Sequence, residues 1–585
     1  MSIRLFWFAA GFLAAGIFAL ALHKNDKEPP SLLTPSIPIV QGGGEFSPFE
    51  QRWIQTRGIL TFIEASSNGV KRFFLQDQDQ AIYCYLPKRL DLNIEVGQWV
   101  TVEGFVKEYS HEDGFFTNTE ITILQEEQVT PGPTGELPEP HVLDLSQMAQ
   151  LSPSQAMEAY EPYESLLVKV QNPRVLDLFN DWESRRTLVA VIPDDISTDD
   201  RNSIGTLTAT ATENPNRNWN SRYQFDFNAE RLFIDHVGSS KITEVGTLLD
   251  DVVGVLDLSR GQPIILPTTD LRIRAQAQHK TAKLELGAQS DRMMIATYNL
   301  WNLSARDTSR ISKIAQQLVG DLHSPDLVAL AEVQDDSGIE NSIADRTTTS
   351  RELGAKLTQA LADAGVEYRY LDRAPDRHRE GGIPGGNIRV GFLYRPDRIR
   401  PIAEPFRIPS ESRPVLEHLA FEGTRKALGC EFEFLATNRP FFAVATHLKS
   451  KRGDDSVWKK SPRFESETQR IQQCLTLVNA VEAMRSQSPN HPVIMMGDFN
   501  DYAKSKSLRV LTESGLLDNV LDSLPPKEQF TYRYRGNVST LDHILVSPDL
   551  AKSAKCQILH LNTVALDRNQ IASDHDPIVA SVSMN

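Results

Sequence analysis

Cysteine is scarce in this chain. Among 585 residues there are four, Cys84, Cys430, Cys474 and Cys556, too few and too far apart for a disulfide scaffold or a structural zinc site. Ordinary apolar packing must therefore hold the fold, with buried thiols expected at Cys430, Cys474 and Cys556. An excess of positive charge is missing as well. Lys and Arg number 61 against 77 Asp and Glu, a net charge of −16, which argues against a basic coat for tight non-specific nucleic-acid binding. Composition is otherwise ordinary, at 40 % apolar and 24 % charged, and excludes both wholesale disorder and a multi-span membrane protein.

One long apolar run is present, at the start. Residues Leu5 to Leu22 read LFWFAAGFLAAGIFALAL, after Arg4 and before His23, Lys24 and Lys27. The run suits either a long signal-peptide core, with Ala19 and Ala21 as an A-x-A-like cleavage site, or a short membrane anchor. Residues 1–28 are thus expected to export the chain, leaving its bulk outside the cytoplasm, either membrane-anchored or released. A polar, Pro-containing linker follows over 29–50.

The length asks for about three or four folded units. Residues 51–128 alternate apolar and polar positions in short runs (GILTFIEA, KRFFLQD, AIYCYLP, QWVTVEGFVKEY, EITIL) separated by SSNG- and HEDG-type turns, which predicts an all-β unit. The order resembles the oligonucleotide-binding-type (OB) barrels that precede some secreted bacterial nucleases. Its aromatics, Phe73, Phe74, Tyr83, Tyr85 and Trp99, have few basic neighbours and read mainly as core and scaffold. A Pro-rich linker is expected over 129–142, then a second β-rich, OB-like module over 143–280.

From 290 to 585 the pattern changes to short apolar strands (MIATYNL, DLVALAEV, IRVGFLY, FFAVATHL, PVIMMGDF, LDHILVS, IVASVSM) alternating with helical stretches, one large α/β domain. Charge follows the same division. The part before about residue 290 holds nearly all the negative excess, about −15, so any polyanion-binding surface is expected in the near-neutral C-terminal half.

Polar residues in this domain fall where apolar runs stop: Asn299 in TYNLWN, Glu332 in LAEVQ, His447 in THLKS, Asp498 and Asn500 in GDFND, Asp542 and His543 in LDHIL, Asp574 and His575 in SDHDP. Strand ends let a rigid sheet aim functional groups at a common cleft. A hard cation such as Mg²⁺ takes carboxylate oxygens and keeps several waters, so Glu332, Asp498 and Asp574 suffice in kind. Phosphodiester cleavage further needs an in-line water, an oriented base and donors for the developing charge. Singly, each residue has an ordinary role as a turn former, helix cap or structural histidine.

Taken together and in order, these motifs make residues 293–585 resemble the endonuclease/exonuclease/phosphatase superfamily. The resemblance implies a four-layer α/β sandwich with the following roles. Glu332 would be the principal metal ligand, supported by Asn299, with Asp574 a further ligand. Asp498 would orient or activate the water, and Asn500 would help position it. His575, held by Asp542, would contact the scissile phosphate. His447 would bind phosphate or act as acid for the leaving oxygen. The implied cofactor is Mg²⁺, with Ca²⁺ or Mn²⁺ as alternatives. Trp301 stands where abasic-site enzymes carry an acid, so abasic-site repair is not expected. REGGIPGGNIRVGFLY is similar to the stretch in exported bacterial nucleases, where Asn387 and Arg389 would reach the site.

Substrate class rests on local charge. Arg439, Lys449, Lys451, Arg452, Lys459, Lys460 and Arg463 outnumber Asp454 and Asp455 around THLKS, which predicts either a phosphate-tracking rim or a solvated loop. Tyr532 and Tyr534 can stack on a base or pack their own loop. The sequence thus predicts an exported, metal-dependent nuclease whose partner is nucleic acid, DNA first. A phosphatase or phospholipase C-type enzyme on lipid or sugar phosphates is the alternative, disfavoured because no apolar hairpin for membrane insertion stands out. A tethered nucleic-acid-binding protein with an inactive nuclease domain is a third reading.

Overall fold

The computed structural model describes residues 32–585 apart from 44–45, 112–113, 147, 149–150, 152, 182–184, 197, 199, 210–227, 236–240, 281, 288–289, 339–344, 456–457 and 460–462. The apolar run Leu5–Leu22 and the rim residue Lys460 lie outside the described residues. Among these, no helix is long and apolar enough to cross a membrane. Contacts divide the chain into two units: residues up to Glu108 with Thr119–Leu137, and Tyr109–Asn118 with Pro138–Asn585.

The first unit is all-β. Strand Trp53–Ser66 pairs with Gly69–Asp77, which pairs with Gln80–Leu90, then Thr117–Thr122, then Gln98–Ser110, which returns to Trp53–Ser66 and closes a five-stranded barrel. Alternating positions fill its interior, among them Leu60, Phe73, Leu75, Ile82, Val100, Val102 and Ile121. The aromatics serve the scaffold: Phe74 and Tyr83 are buried, and Trp99 lies under the Arg57 guanidinium at 4.6 Å. Val129–Thr134, expected as linker, forms a sixth strand on Gln98–Ser110. Its Pro131 and Pro133 fit an edge, where a missing N–H costs no ladder bond.

The second unit holds three sheets that matter here. Residues 141–275 supply a nine-stranded sheet in which the neighbouring strands Pro173–Asp181 and Arg186–Pro193 pair antiparallel. Beyond residue 290 come two mixed sheets. One runs in the order Arg369–Asp372, Arg389–Tyr394, Leu327–Val333, Arg292–Leu303, Ile578–Ser583, Lys555–Ile558. The other is built around Ala427–Phe434, Arg439–His447, Val493–Asp498 and Asp542–Val546. Their strands are nearly continuous apolar runs because both faces are covered. One buried cluster draws on both sheets (Ile295, Ala329, Phe392 with Phe432, Ala445, Met496, Ile544). A second joins the first sheet to helices Thr308–Gln316 and Arg351–Asp363, and a third joins the other sheet to Glu465–Gln487 and Lys506–Thr512.

All four cysteines are free thiols, three buried and Cys556 partly so, consistent with the apolar surroundings expected for Cys430, Cys474 and Cys556.

Candidate active site

Three adjacent strands deliver a row of functional groups. In the second mixed sheet His447 pairs in register with Asp498, and Asp498 with Asp542. The close approach of the first two strands depends on Gly497, whose φ is +148°; a Cβ there would meet the Thr446 carbonyl oxygen at 1.9 Å. Any side chain would force the strands apart, so glycine is required at this point. The first mixed sheet brings Asn299 and Glu332 on parallel neighbouring strands, and His575 on the segment entering Ile578–Ser583.

The groups from both sheets meet. Asn299 Nδ2 donates to Asp498 Oδ2 at 3.0 Å and lies 3.5 Å from His575 Nε2. His447 Nε2 is 3.5 Å from Asp498 Oδ2 and 3.9 Å from Glu332 Oε1. Asp542 Oδ2 contacts His575 Nδ1 at 2.7 Å and accepts from Thr531 Oγ1 at 2.7 Å. The Asn500 N–H donates to Asp498 Oδ1 at 2.7 Å, and its side-chain amide donates to the Leu448 carbonyl. Glu332 is the most accessible member, its side chain 19 % exposed, and one oxygen accepts from the Asn302 N–H. Glu332, Trp301, Asn302 and Asn500 all have positive φ. Left-handed non-glycine residues gathered at one place mark backbone strain held by the surrounding fold.

Electrostatics divide these groups. Burial, then Asp542 and Glu332, push the Asp498 carboxyl up to about 7. Burial and the Glu332 charge raise Asp574 to about 6. Burial alone would keep His575 neutral, but Asp542, Asp574 and Asp498 raise its pKa well above 6.5. His447 goes the other way, lowered by burial, then Arg425 and His575. The site therefore concentrates negative charge that His575, Arg425 and Arg310 compensate only in part.

Two groupings, Glu332–His447–Asp498 and Asp498–Asp542–His575, each bring their ligand atoms within 4.8 Å of one another. Carboxylates whose pKa values are raised by burial and then by one another, beside an amide and imidazoles, are a donor set that fits a hard divalent cation.

Other expected site residues are engaged elsewhere. Lys451 Nζ is ion-paired to Asp501 at 2.5 Å and lies over the Tyr502 ring. Asn387 donates to Asp335 and the Thr347 carbonyl, and Arg389 pairs with Asp372 at 3.1 Å. These three are engaged with the protein's own loops and strands. The basic rim is also partly neutralised: Arg439 bonds Asp549, while Lys459 and Arg463 bond Asp455. The Lys449 N–H and carbonyl bond Gln473 and Arg470. Tyr534 is exposed, whereas Tyr532 lies over the His575 ring with centroids 4.7 Å apart.

Sequence reasoning missed two features. Asp501, three residues past Asp498, is buried among Lys451, Arg470 and Ser507. Buried Arg425 raises the positive potential at His447. Lone residues at sequence separations of 22 to 50 from their partners carry no local signal. His543 is structural, held between the Asp501 carbonyl and Asn519.

Residues 296–575 match the model of the Endonuclease/Exonuclease/phosphatase family, and residues 124–278 match a domain of unknown function, DUF8508. No curated protein matches the chain. Solved structures with local similarity include an endonuclease/exonuclease/phosphatase from Bacteroides vulgatus (17 % identity, TM-score 0.35, covering 50 % of this chain and 99 % of that one). The human Nocturnin catalytic domain gives 17 %, 0.34, 50 % and 94 %. A D. rerio TDP2 complexed with single-strand DNA product gives 18 %, 0.32, 50 % and 99 %.

Proposed function

With residues 296–575 forming an endonuclease/exonuclease/phosphatase-family domain, whose relatives hydrolyse phosphate esters, we propose that this chain is a divalent-metal-dependent phosphodiesterase acting on nucleic acid, DNA in the first instance. The observation that carries the reading is the pair joined through the Asn299 amide: a buried Asp498 raised to about 7 and a His575 raised well above 6.5 beside Asp542. Both pKa values are raised, which poises the Asp498 carboxyl to accept a proton near neutrality and keeps the His575 imidazole charged, as base and electrophile require.

A divalent cation, Mg²⁺ in our reading, would be held by Glu332 with Asn299 and Asp574, and would supply Lewis-acid charge to the phosphate oxygens. Asp498, oriented by Asn299 and the Asn500 N–H, takes the proton from the attacking water. His575 Nε2 faces the cleft as a charged donor to the scissile phosphate, its Nδ1 fixed on Asp542. His447, kept neutral by burial and Arg425, serves as an uncharged donor to a phosphate oxygen in preference to acid for the leaving group. We read the two sheets with their facing helices as the family's four-layer sandwich, and the closed barrel as OB-like. We also read the chain as exported, from the run Leu5–Leu22; fractionation of cells expressing the full chain with an export marker tests this, and recovery in the cytoplasm would sink it.

Digestion of circular and linear DNA, with and without chelator, tests the activity in the native chain and in Glu332→Gln. Chelator-sensitive cleavage lost in the variant is expected; cleavage unaffected by either would overturn the reading. A specific observation keeps lipid phosphates as a second reading. Helix Val415–Ala420 exposes Val415, Leu416 and Leu419 at 73, 78 and 53 %, an apolar surface not evident in the sequence. Release of soluble phosphate or headgroup from vesicles, with DNA left intact, would favour it.

A further inference from the structure

The β-rich region over 141–275 has no role in the chemistry above, yet its polar side chains reach toward the segment beside His575. That segment is a hairpin, Tyr532–Tyr534 with Asn537–Ser539. Its residues alternate in what they face. Tyr532 lies on the His575 ring and also forms a β-bridge to His575. Arg533 donates to Asp177 Oδ1 at 2.8 Å, the Gly536 N–H donates to Asp177 Oδ2 at 3.2 Å, and Arg535 donates to Asp181 Oδ1 at 2.5 Å. Asp177 and Asp181 are 4 and 3 % exposed, so both carboxylates are buried, against guanidiniums that remain 13 and 26 % exposed. Leu207–Thr208 adds a parallel strand to Asn537–Val538, and Asn228 Nδ2 donates to Asn537 Oδ1 at 2.9 Å. A Cβ on Gly536 would come within 2.6 Å of the Ala190 Cβ.

A second grip holds the loop on the other side of His575. The Val245 N–H donates to the Val564 carbonyl and the Leu566 N–H to the Thr243 carbonyl, while Arg533 also donates to the Thr563 and Ala565 carbonyls. That loop supplies Asn562, whose amide donates to the His575 carbonyl at 2.7 Å. The hairpin's Thr531 in turn bonds Asp542, and its carbonyl accepts the Asp576 N–H.

We propose that the β region is a positioning element for hydrolysis: through Asp177 and Asp181 it fixes the Tyr532–Ser539 hairpin, and thereby the placement of His575 and Asp542. Charge pairs with a buried member are a weak source of stability but a strong source of geometric definition, since removing one partner strands the other. A misplacement of about 1 Å at a reacting group can cost about 100-fold in rate. Tyr532 and the two aspartates are positioning residues, none of them touching the phosphate.

The inference rests on the functional reading above, so its test has two arms, both on the full chain. Asp177→Asn with Asp181→Asn is expected to lower kcat on a DNA substrate about 10- to 100-fold, with KM within about threefold. Asp177→Glu, which keeps the charge, recovers most of the loss. In the second arm, amide hydrogen exchange over residues 530–540 is expected to lose protection in the double variant by more than the rest of the second unit does. Should the double variant fail to fold, Gly536→Ala displaces the hairpin from the other side and is read the same way. Retained protection in the variants, or lost protection with unchanged kcat, overturns the proposal. If the unaltered chain hydrolyses nothing, the functional reading falls while the exchange arm still decides whether the hairpin is anchored as described.

Discussion

Asp498 and Asp501 stand three residues apart, both buried, and the fold treats them oppositely. Asp501 is met by Lys451 at 2.5 Å, Arg470 at 3.0 Å and Ser507 at 2.7 Å, so although burial opposes ionisation its carboxyl is held far below the usual range. Asp498 has an amide, a backbone N–H and a neutral imidazole as neighbours, two further carboxylates nearby, and a pKa of about 7. Burial is common to both; direct ion pairing to lysine and arginine is found at Asp501, whereas Asp498 feels only the nearby charges of His575 and Arg425. A carboxylate that the protein neutralises itself is structural, and one left for something else to neutralise is the functional one.

The sharpest way to break this contrast is to remove each charge. Asp498→Asn is expected to cut hydrolysis by about 10³-fold, within the range for a lost general base, with the melting temperature unchanged or raised, because an incompletely compensated buried charge has gone. Equal loss of stability and activity would erase the distinction. Asp501→Asn is expected to do the reverse, costing about 3–5 kcal/mol by stranding Arg470 and Lys451, measured by denaturant unfolding of the full chain.

Acidity sharpens the comparison next. Asp498 and Asp574, at about 7 and about 6, titrate above the ordinary aspartate range. Their protonation therefore favours the ion-free fold fully below about pH 4, and that contribution is lost as pH rises through 6 to 7. A divalent cation binds the charged forms, so the rise in Tm on adding millimolar Mg²⁺ is expected to be large at pH 8 and small at pH 5.5, with a weaker pH dependence in Asp498→Asn, where Asp574 alone still titrates in this range. A cation effect that does not change between these pH values would refute the assignment. The smallest effect is expected at Lys451. Because its ammonium serves Asp501, Lys451→Met should change DNA affinity less than about threefold and leave the salt dependence of binding nearly unchanged, whereas a phosphate contact would reduce that slope by about one.

Much of the site was legible because strand ends are marked in sequence by the place where apolar runs stop. Asn299, Glu332, His447, Asp498, Asn500, Asp542 and His575 were found this way, and the structure gathers them. Position along a strand does not say which cation a side chain will meet 50 residues away, so the Lys451–Asp501 pair was invisible. For Tyr532 the sequence left stacking on a base and packing of its own loop open, and the contact with the His575 ring appears only in the folded hairpin. In the upstream half the alternation of 51–128 reads directly as a barrel. The long-range ion pairs of Asp177 and Asp181 do not, since each aspartate looks like any polar residue on a strand.

One further consequence follows from the division of the site between two sheets. Neither sheet alone holds both Asp498 and His575; the bond from Asn299 to Asp498 crosses from one to the other, above the shared apolar cluster. Turnover is therefore a direct gauge of tertiary docking. A loosened, acid-expanded state that kept its secondary structure while the sheets drifted apart would look folded by far-ultraviolet dichroism and be catalytically silent. Recovery of activity during refolding should accordingly follow the final consolidation of the core between the sheets and lag the appearance of the strands.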